Sequence, residues 1–208
     1  VLDDILNIVS SSVGSLTNSG RIAKTFKSER NVNISDDTVS KYLGFFIDAF
    51  MIYSAERYDV KGRKYIGSPL KYYFSDVGLR NARLNFRQQE ENHIMENIIY
   101  NELCNRDFNV DVGVVEYCYK DAEKKSKRAY LEIDFVANKG SKKYYIQSAL
   151  TVADEEKREQ EIRSLKRVGD SFKKIVVVKD NIIPWHDDNG ILYIGIEKFL
   201  LEESAMDI

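Results

Sequence analysis

Glu132–Leu150 reads EIDFVANKGSKKYYIQSAL. Two runs rich in apolar and aromatic residues flank a turn that contains Gly140, so the stretch predicts a β-hairpin. The first strand carries one carboxylate, Asp134. The second carries Gln147 and Ala149, two residues apart and therefore on one face of a strand. A carboxylate in a buried strand needs a hydrogen-bonding partner, a cation or a metal. Asp134 is thus either part of a site or a structural acid at a strand end.

Working outward, the hairpin belongs to a regular series. A helix is expected from about Gln88 to Arg106, with Ile94, Met95, Ile98, Ile99 and Leu103 forming an apolar arc. Glu102 falls inside that arc and Glu96 at its edge. Strands follow at Val110–Tyr119, Tyr130–Asn138 and Lys143–Val152, with Asp121–Arg128 as a solvated loop. A charged helix over Asp154–Lys166 precedes the apolar strand Lys174–Lys179. A short strand at Ile191–Ile194 and a helix from Glu197 close the chain. The expected order is αβββαβ within an α/β (α+β) fold.

The first half has a different pattern. Leu2, Ile5, Leu6, Val9 and Val13 recur at helical spacing, and Ile22, Ala23 and Phe26 mark a second helix from Ser19 to Ser28. Ser35 reads as an N-cap, with Asp36 and Asp37 in the first turn, where the helix dipole favours carboxylates. Val39, Leu43, Phe46, Ile47 and Phe50 form the buried stripe of the third helix, leaving Thr38, Ser40 and Lys41 at its exposed start. Met51–Asp76 alternates like a strand pair, turning at Asp59–Arg63, where Gly62 is able to take positive φ. Three helices and a hairpin are the order of a winged helix, in which the third helix reads the major groove and the wing touches the backbone. Two domains are expected, 1–86 and 87–208.

The formal net charge is −2, so nothing global announces nucleic acid. The charge is uneven, however: residues 1–86 carry a net of +3 and residues 87–208 a net of −5. Between Arg57 and Arg83 stand Arg57, Lys61, Arg63, Lys64, Lys71, Arg80 and Arg83, interleaved with tyrosines. That composition suits phosphate contact, and equally suits the solvated face of a hairpin that binds protein or merely packs. The candidate nucleic-acid contacts are Thr38, Lys41, Arg57, Lys61, Arg63, Lys64 and Lys71. Two cysteines are too few for a disulfide framework, and two isolated histidines cannot build a zinc cluster. There is no long apolar run, so a cytoplasmic location is expected. Gly14–Arg21, GSLTNSGR, fails as a phosphate loop: five residues separate the glycines and no Lys-Ser/Thr follows.

Two resemblances sharpen these expectations. Helix, three strands, helix, strand is similar to the core of PD-(D/E)xK nucleases. In that superfamily strand carboxylates hold Mg²⁺ and a lysine assists the attacking water. Glu96 and Asp134 match the acids of that pattern. Gln147 stands where the second strand's acid would be, and Ala149 where the lysine would be, which implies a vestigial pocket of Glu96, Asp134 and Gln147. Further, TVSKYLGFFIDAFMIYSAERYDVKGRKY, SPLKYYFSDVGLRNA, HIMENIIYNELCNRDF and EIDFVANKGSKKYYIQSAL together resemble the C-terminal portion of prokaryotic AAA-superfamily ATPases. That resemblance implies a missing P-loop half, with ATP and Mg²⁺ bound there and no cofactor or metal in this fragment. The expected function is a non-catalytic DNA-interacting module of a larger ATPase, with DNA and the missing ATPase domain as partners. The alternatives are a weak metal-dependent nuclease and a module coupling the ATPase to a protein partner.

Overall fold

The computed structural model describes residues 1–87, 90–121 and 123–208. Among them it forms a mixed α/β protein with seven α-helices and an eight-stranded mixed sheet. The chain divides into two compact units, Val1–Glu56 with Gly67–Asn101, and Arg57–Ile66 with Glu102–Ile208. These units are interleaved along the chain rather than meeting once at 86/87, the division expected from the sequence pattern.

In the first unit, α1 (Leu2–Ser11), α2 (Ser19–Arg30) and α3 (Asp36–Asp48) bury Ile5, Val9, Ile22, Phe26, Val39, Leu43 and Phe46. The starts of α2 and α3 are fixed by side-chain caps. Asn18 accepts from the Arg21 amide at 2.8 Å and Ser35 from the Thr38 amide at 3.1 Å, each satisfying an otherwise orphaned helix donor. The hairpin of β1 (Ile52–Asp59) and β2 (Lys64–Phe74) has its base in this unit and its tip in the other. A short helix that the sequence pattern did not show, α4 (Val77–Arg83), is capped by Asp76. Then α5 (Glu91–Asn105) follows; its expected start at Gln88 lies outside the described residues. Asn97 ties α5 to β2, accepting from the Phe74 amide at 2.8 Å and donating to its carbonyl at 2.7 Å. Tyr100 stacks on Tyr73 beside it, with ring centroids 4.2 Å apart.

The second unit holds β3 (Asn109–Lys120), β4 (Ser126–Lys139), β5 (Lys142–Ala149), α6 (Glu155–Ile162), β6 (Lys173–Val178), β7 (Trp185–His186), β8 (Leu192–Gly195) and α7 (Ile196–Leu201). The hairpin tip runs parallel to β3, with Arg57 opposite Val112. Strands β3, β4 and β5 are mutually antiparallel, while β6 pairs parallel to β5 and β8 parallel to β6. The register of β3 shifts between Asp111 and Gly113. A Cβ at Gly113 would stand 2.8 Å from the Ile133 Cβ, so only glycine fits that close approach. The loop expected at Asp121–Arg128 is shorter than foreseen, because β3 and β4 remain paired out to Lys120 and Ser126; Ala122 lies outside the described residues. Asp154 caps α6 through the Glu156 and Lys157 amides, and a 3₁₀ turn at Leu165–Arg167 continues it. The core joins Val115, Ile133, Val136 and Tyr145 of the sheet to Ile162, Leu165 and Val168. Among the described residues no helix is long and apolar enough to cross a membrane.

Candidate nucleic-acid interface and the Asp134 site

The pairing of β4 with β5 begins at Phe135 opposite Ile146. Just beyond it, the Ser148 amide donates to Asp134 Oδ2 at 2.8 Å. The carboxylate thus replaces a backbone acceptor where the ladder ends. Asp134 and Gln147 are 8% and 9% exposed. Gln147 Oε1 lies 3.5 Å from the hydroxyl of Ser164, which follows α6. Ala149, on the same face of β5 as Gln147, is packed into the apolar cluster with Ile162 and Leu165. The place that the nuclease resemblance gives to a lysine is therefore hydrophobic core. The carboxylate thus meets a backbone amide, and the neutral amide of Gln147 meets a hydroxyl. No cluster of three His, Cys, Asp or Glu able to hold a metal occurs among the described residues.

Glu96 belongs to the first unit, and its Oε1 accepts from Lys71 Nζ at 2.8 Å and from the Tyr73 hydroxyl at 2.5 Å. A buried carboxylate is satisfied here by an ammonium and a phenol. Glu102, the other acid of that helical face, pairs with Arg106 at 2.7 Å.

The basic cluster of the sequence separates into structural and surface groups. Lys71 is 3% exposed and joined to Glu96, which removes it from the candidate phosphate contacts. Arg80 is 1% exposed and donates to the Ser10 carbonyl at 3.0 Å; burial lowers its pKa, opposed by Glu90. Arg83 is paired with Asp3 at 2.9 Å and also bonds Asn7. Thr38 has its hydroxyl 2.8 Å from that of its cap, Ser35, so its polar group is already engaged. Lys41 is exposed, 5.8 Å above the Phe45 ring.

Lys61, Arg63 and Lys64 are exposed at the hairpin tip, and Arg57 is half-buried, its Nε enclosed with no hydrogen-bond partner among the described residues. The turn differs in one detail from expectation. Positive φ falls on Arg63, at 52°, and not on Gly62. Gly62 is needed for a different reason: a Cβ there would lie 2.3 Å from the Asp59 carboxylate that accepts its amide. Lys61 Nζ donates to the Glu116 carbonyl on β3 at 2.7 Å, within the second unit.

Sequence reasoning missed two arginines, Arg163 and Arg167, which both lie over the ring of Tyr117. Their spacing of four residues at the end of a charged helix is the available signal, but it does not disclose the tyrosine they meet. An open cleft of about 920 Å³ in the second unit is lined by Arg106, Lys139, Lys142, Tyr144 and Asp207 among others. There Lys142, then Tyr144, hold the Asp207 carboxyl below the usual range.

A family described as a domain of unknown function, DUF8612, matches residues 1–90. A protein of Haemophilus influenzae (strain ATCC 51907 / DSM 11121 / KW20 / Rd), described as uncharacterized, is 33% identical over 177 residues. The alignment covers 85% of this chain and 40% of that protein, so the chain spans about two fifths of that relative's length. No solved structure matches the chain.

Proposed function

We propose that the chain is a non-catalytic DNA-interacting module, a winged helix joined to a degenerate PD-(D/E)xK-like domain, within a larger AAA-type ATPase. The observation that carries the DNA reading is the exposed triad Lys61, Arg63 and Lys64 at the hairpin tip, where a wing would meet the phosphate backbone. The order of α5, three antiparallel strands, α6 and a parallel strand supports the nuclease-like assignment. The engagement of Asp134 by the Ser148 amide and the core position of Ala149 support a scaffold without cleavage chemistry. Metal-assisted hydrolysis needs ligands that hold a divalent ion and activate its water, and a carboxylate already engaged by a backbone amide is poorly placed for either. The membership in a larger protein is supported by a relative that extends well beyond the matched region; its ATPase character rests on the sequence resemblance.

The test is a titration of fluorescent duplex at several salt concentrations. Replacing Lys61, Arg63 and Lys64 together by Ala should weaken binding to all sequences and reduce the salt slope by about 2 to 3. An unchanged slope would take the hairpin tip out of the interface.

A further inference from the structure

The second unit carries a cationic surface beside the hairpin tip, built around Tyr117. The Arg167 guanidinium lies 4.4 Å from the Tyr117 ring centroid. The Arg163 guanidinium lies 5.2 Å from it and donates to the phenol oxygen at 3.0 Å. Both arginines are exposed, and neither has a carboxylate partner among the described residues. Stacking on an aromatic ring holds a guanidinium's plane while leaving N–H edges free, which prepares it for a phosphate at reduced entropic cost.

Lys61 stands on the same surface. Its ammonium bonds the carbonyl of Glu116, the residue before Tyr117. Asp59, Lys61, Gly62, Glu116, Tyr117 and Cys118 line an open groove of about 430 Å³. Beyond the β1 pairing, which reaches Val114, β3 and β4 continue as a two-stranded ribbon from Val115 opposite Leu131 out to Lys120 opposite Ser126. The ribbon adds exposed Arg128 and Lys127, whose carboxylate partners are Glu116 at 3.3 Å and Asp121 at 3.0 Å.

We propose that Lys61, Arg163 and Arg167, grouped around Tyr117, hold the phosphate backbone of duplex DNA on the second unit. This placement rests on the DNA-binding reading and extends it from the hairpin tip to the end of α6. A duplex fits better than a single strand, because Tyr117 is covered by Arg167 and held by Arg163, leaving its face unavailable as a stacking platform for a base. What the surface offers is charge directed at a backbone.

The experiment uses the full chain, a fluorescent duplex and the double variant Arg163→Ala with Arg167→Ala. Both side chains are exposed, so the melting temperature should stay within about 2 °C of the parent. The expected result is roughly tenfold weaker binding near 100 mM salt and a salt slope lower by about 2. Wild-type affinity and slope in this variant, with loss in the hairpin-tip variant, would overturn the placement while leaving the DNA reading intact. Absence of duplex binding by the parent chain would overturn both. Polyglutamate serves as a competitor: displacement as effective as that by unlabelled duplex would also overturn the proposal, because the surface would then be a receptor for acidic chains.

Discussion

Lys71 sits in a strand where basic and aromatic residues are interleaved, a pattern that reads as surface, yet its ammonium is buried against Glu96. Sequence shows the charge but not its depth, because the partner lies 25 residues away on α5. Replacing Lys71 by Met leaves an unpaired carboxylate in the interior and should cost about 3 kcal/mol, measured by denaturant unfolding. The further exchange Glu96→Gln should recover part of that loss. Asp134 is comparable. Its place within a strand is legible in the sequence; the amide it holds is not. Asp134→Ala should cost about 2 kcal/mol, the worth of a hydrogen bond to a charged group, and leave duplex affinity of the folded protein unchanged. A loss of affinity without a loss of stability would show that Asp134 serves binding.

The capped helices are the elements that sequence chemistry reveals best. Ser35 and Asp154 both occupy N-caps, because a short polar side chain just ahead of a helix satisfies first-turn amides that have no partner within it. The strands of the second unit are legible from their β-branched and aromatic runs. By contrast, α4 has seven residues and β7 has two, too few for a period to register. The sheet also sets an alkaline limit. Burial first, and then Asp207 and Asp170 respectively, raise Tyr144 and Tyr145 above the ordinary tyrosine range. Burial and Asp187 push Tyr193 from 10.0 up to about 12. The folded state therefore favours the neutral phenols. Below pH 10 both folded and unfolded chains keep them protonated and the stability is fully present. Above it the unfolded chain releases protons that the folded chain retains, so stability should fall from pH 10 to 12. Melting temperatures across that range, with tyrosinate absorbance recorded in parallel, should show the decline, and Tyr193→Phe should lessen it.

Across the whole chain, the order of elements follows from local patterning, whereas the grouping into interleaved units does not. The hairpin tip joins the second unit through parallel pairing with β3, a contact more than 50 residues distant in sequence that no local signal encodes. The candidate site is legible to the same degree. Lys61, Arg63 and Lys64 are visible as an exposed turn, while Arg163 and Arg167 gain meaning only once Tyr117 lies beneath them. The proposed function has two parts, that the molecule holds DNA and that it does not cut it. One measurement addresses both: end-labelled duplex incubated with the full chain over a salt series, with Mg²⁺ or with chelator, followed for binding and for strand length. The expected result is saturable binding that weakens steeply with salt and is the same with Mg²⁺ as with chelator at matched ionic strength, with every strand left at full length. Absence of binding, or Mg²⁺-dependent shortening of the strands that Asp134→Asn abolishes, would contradict it.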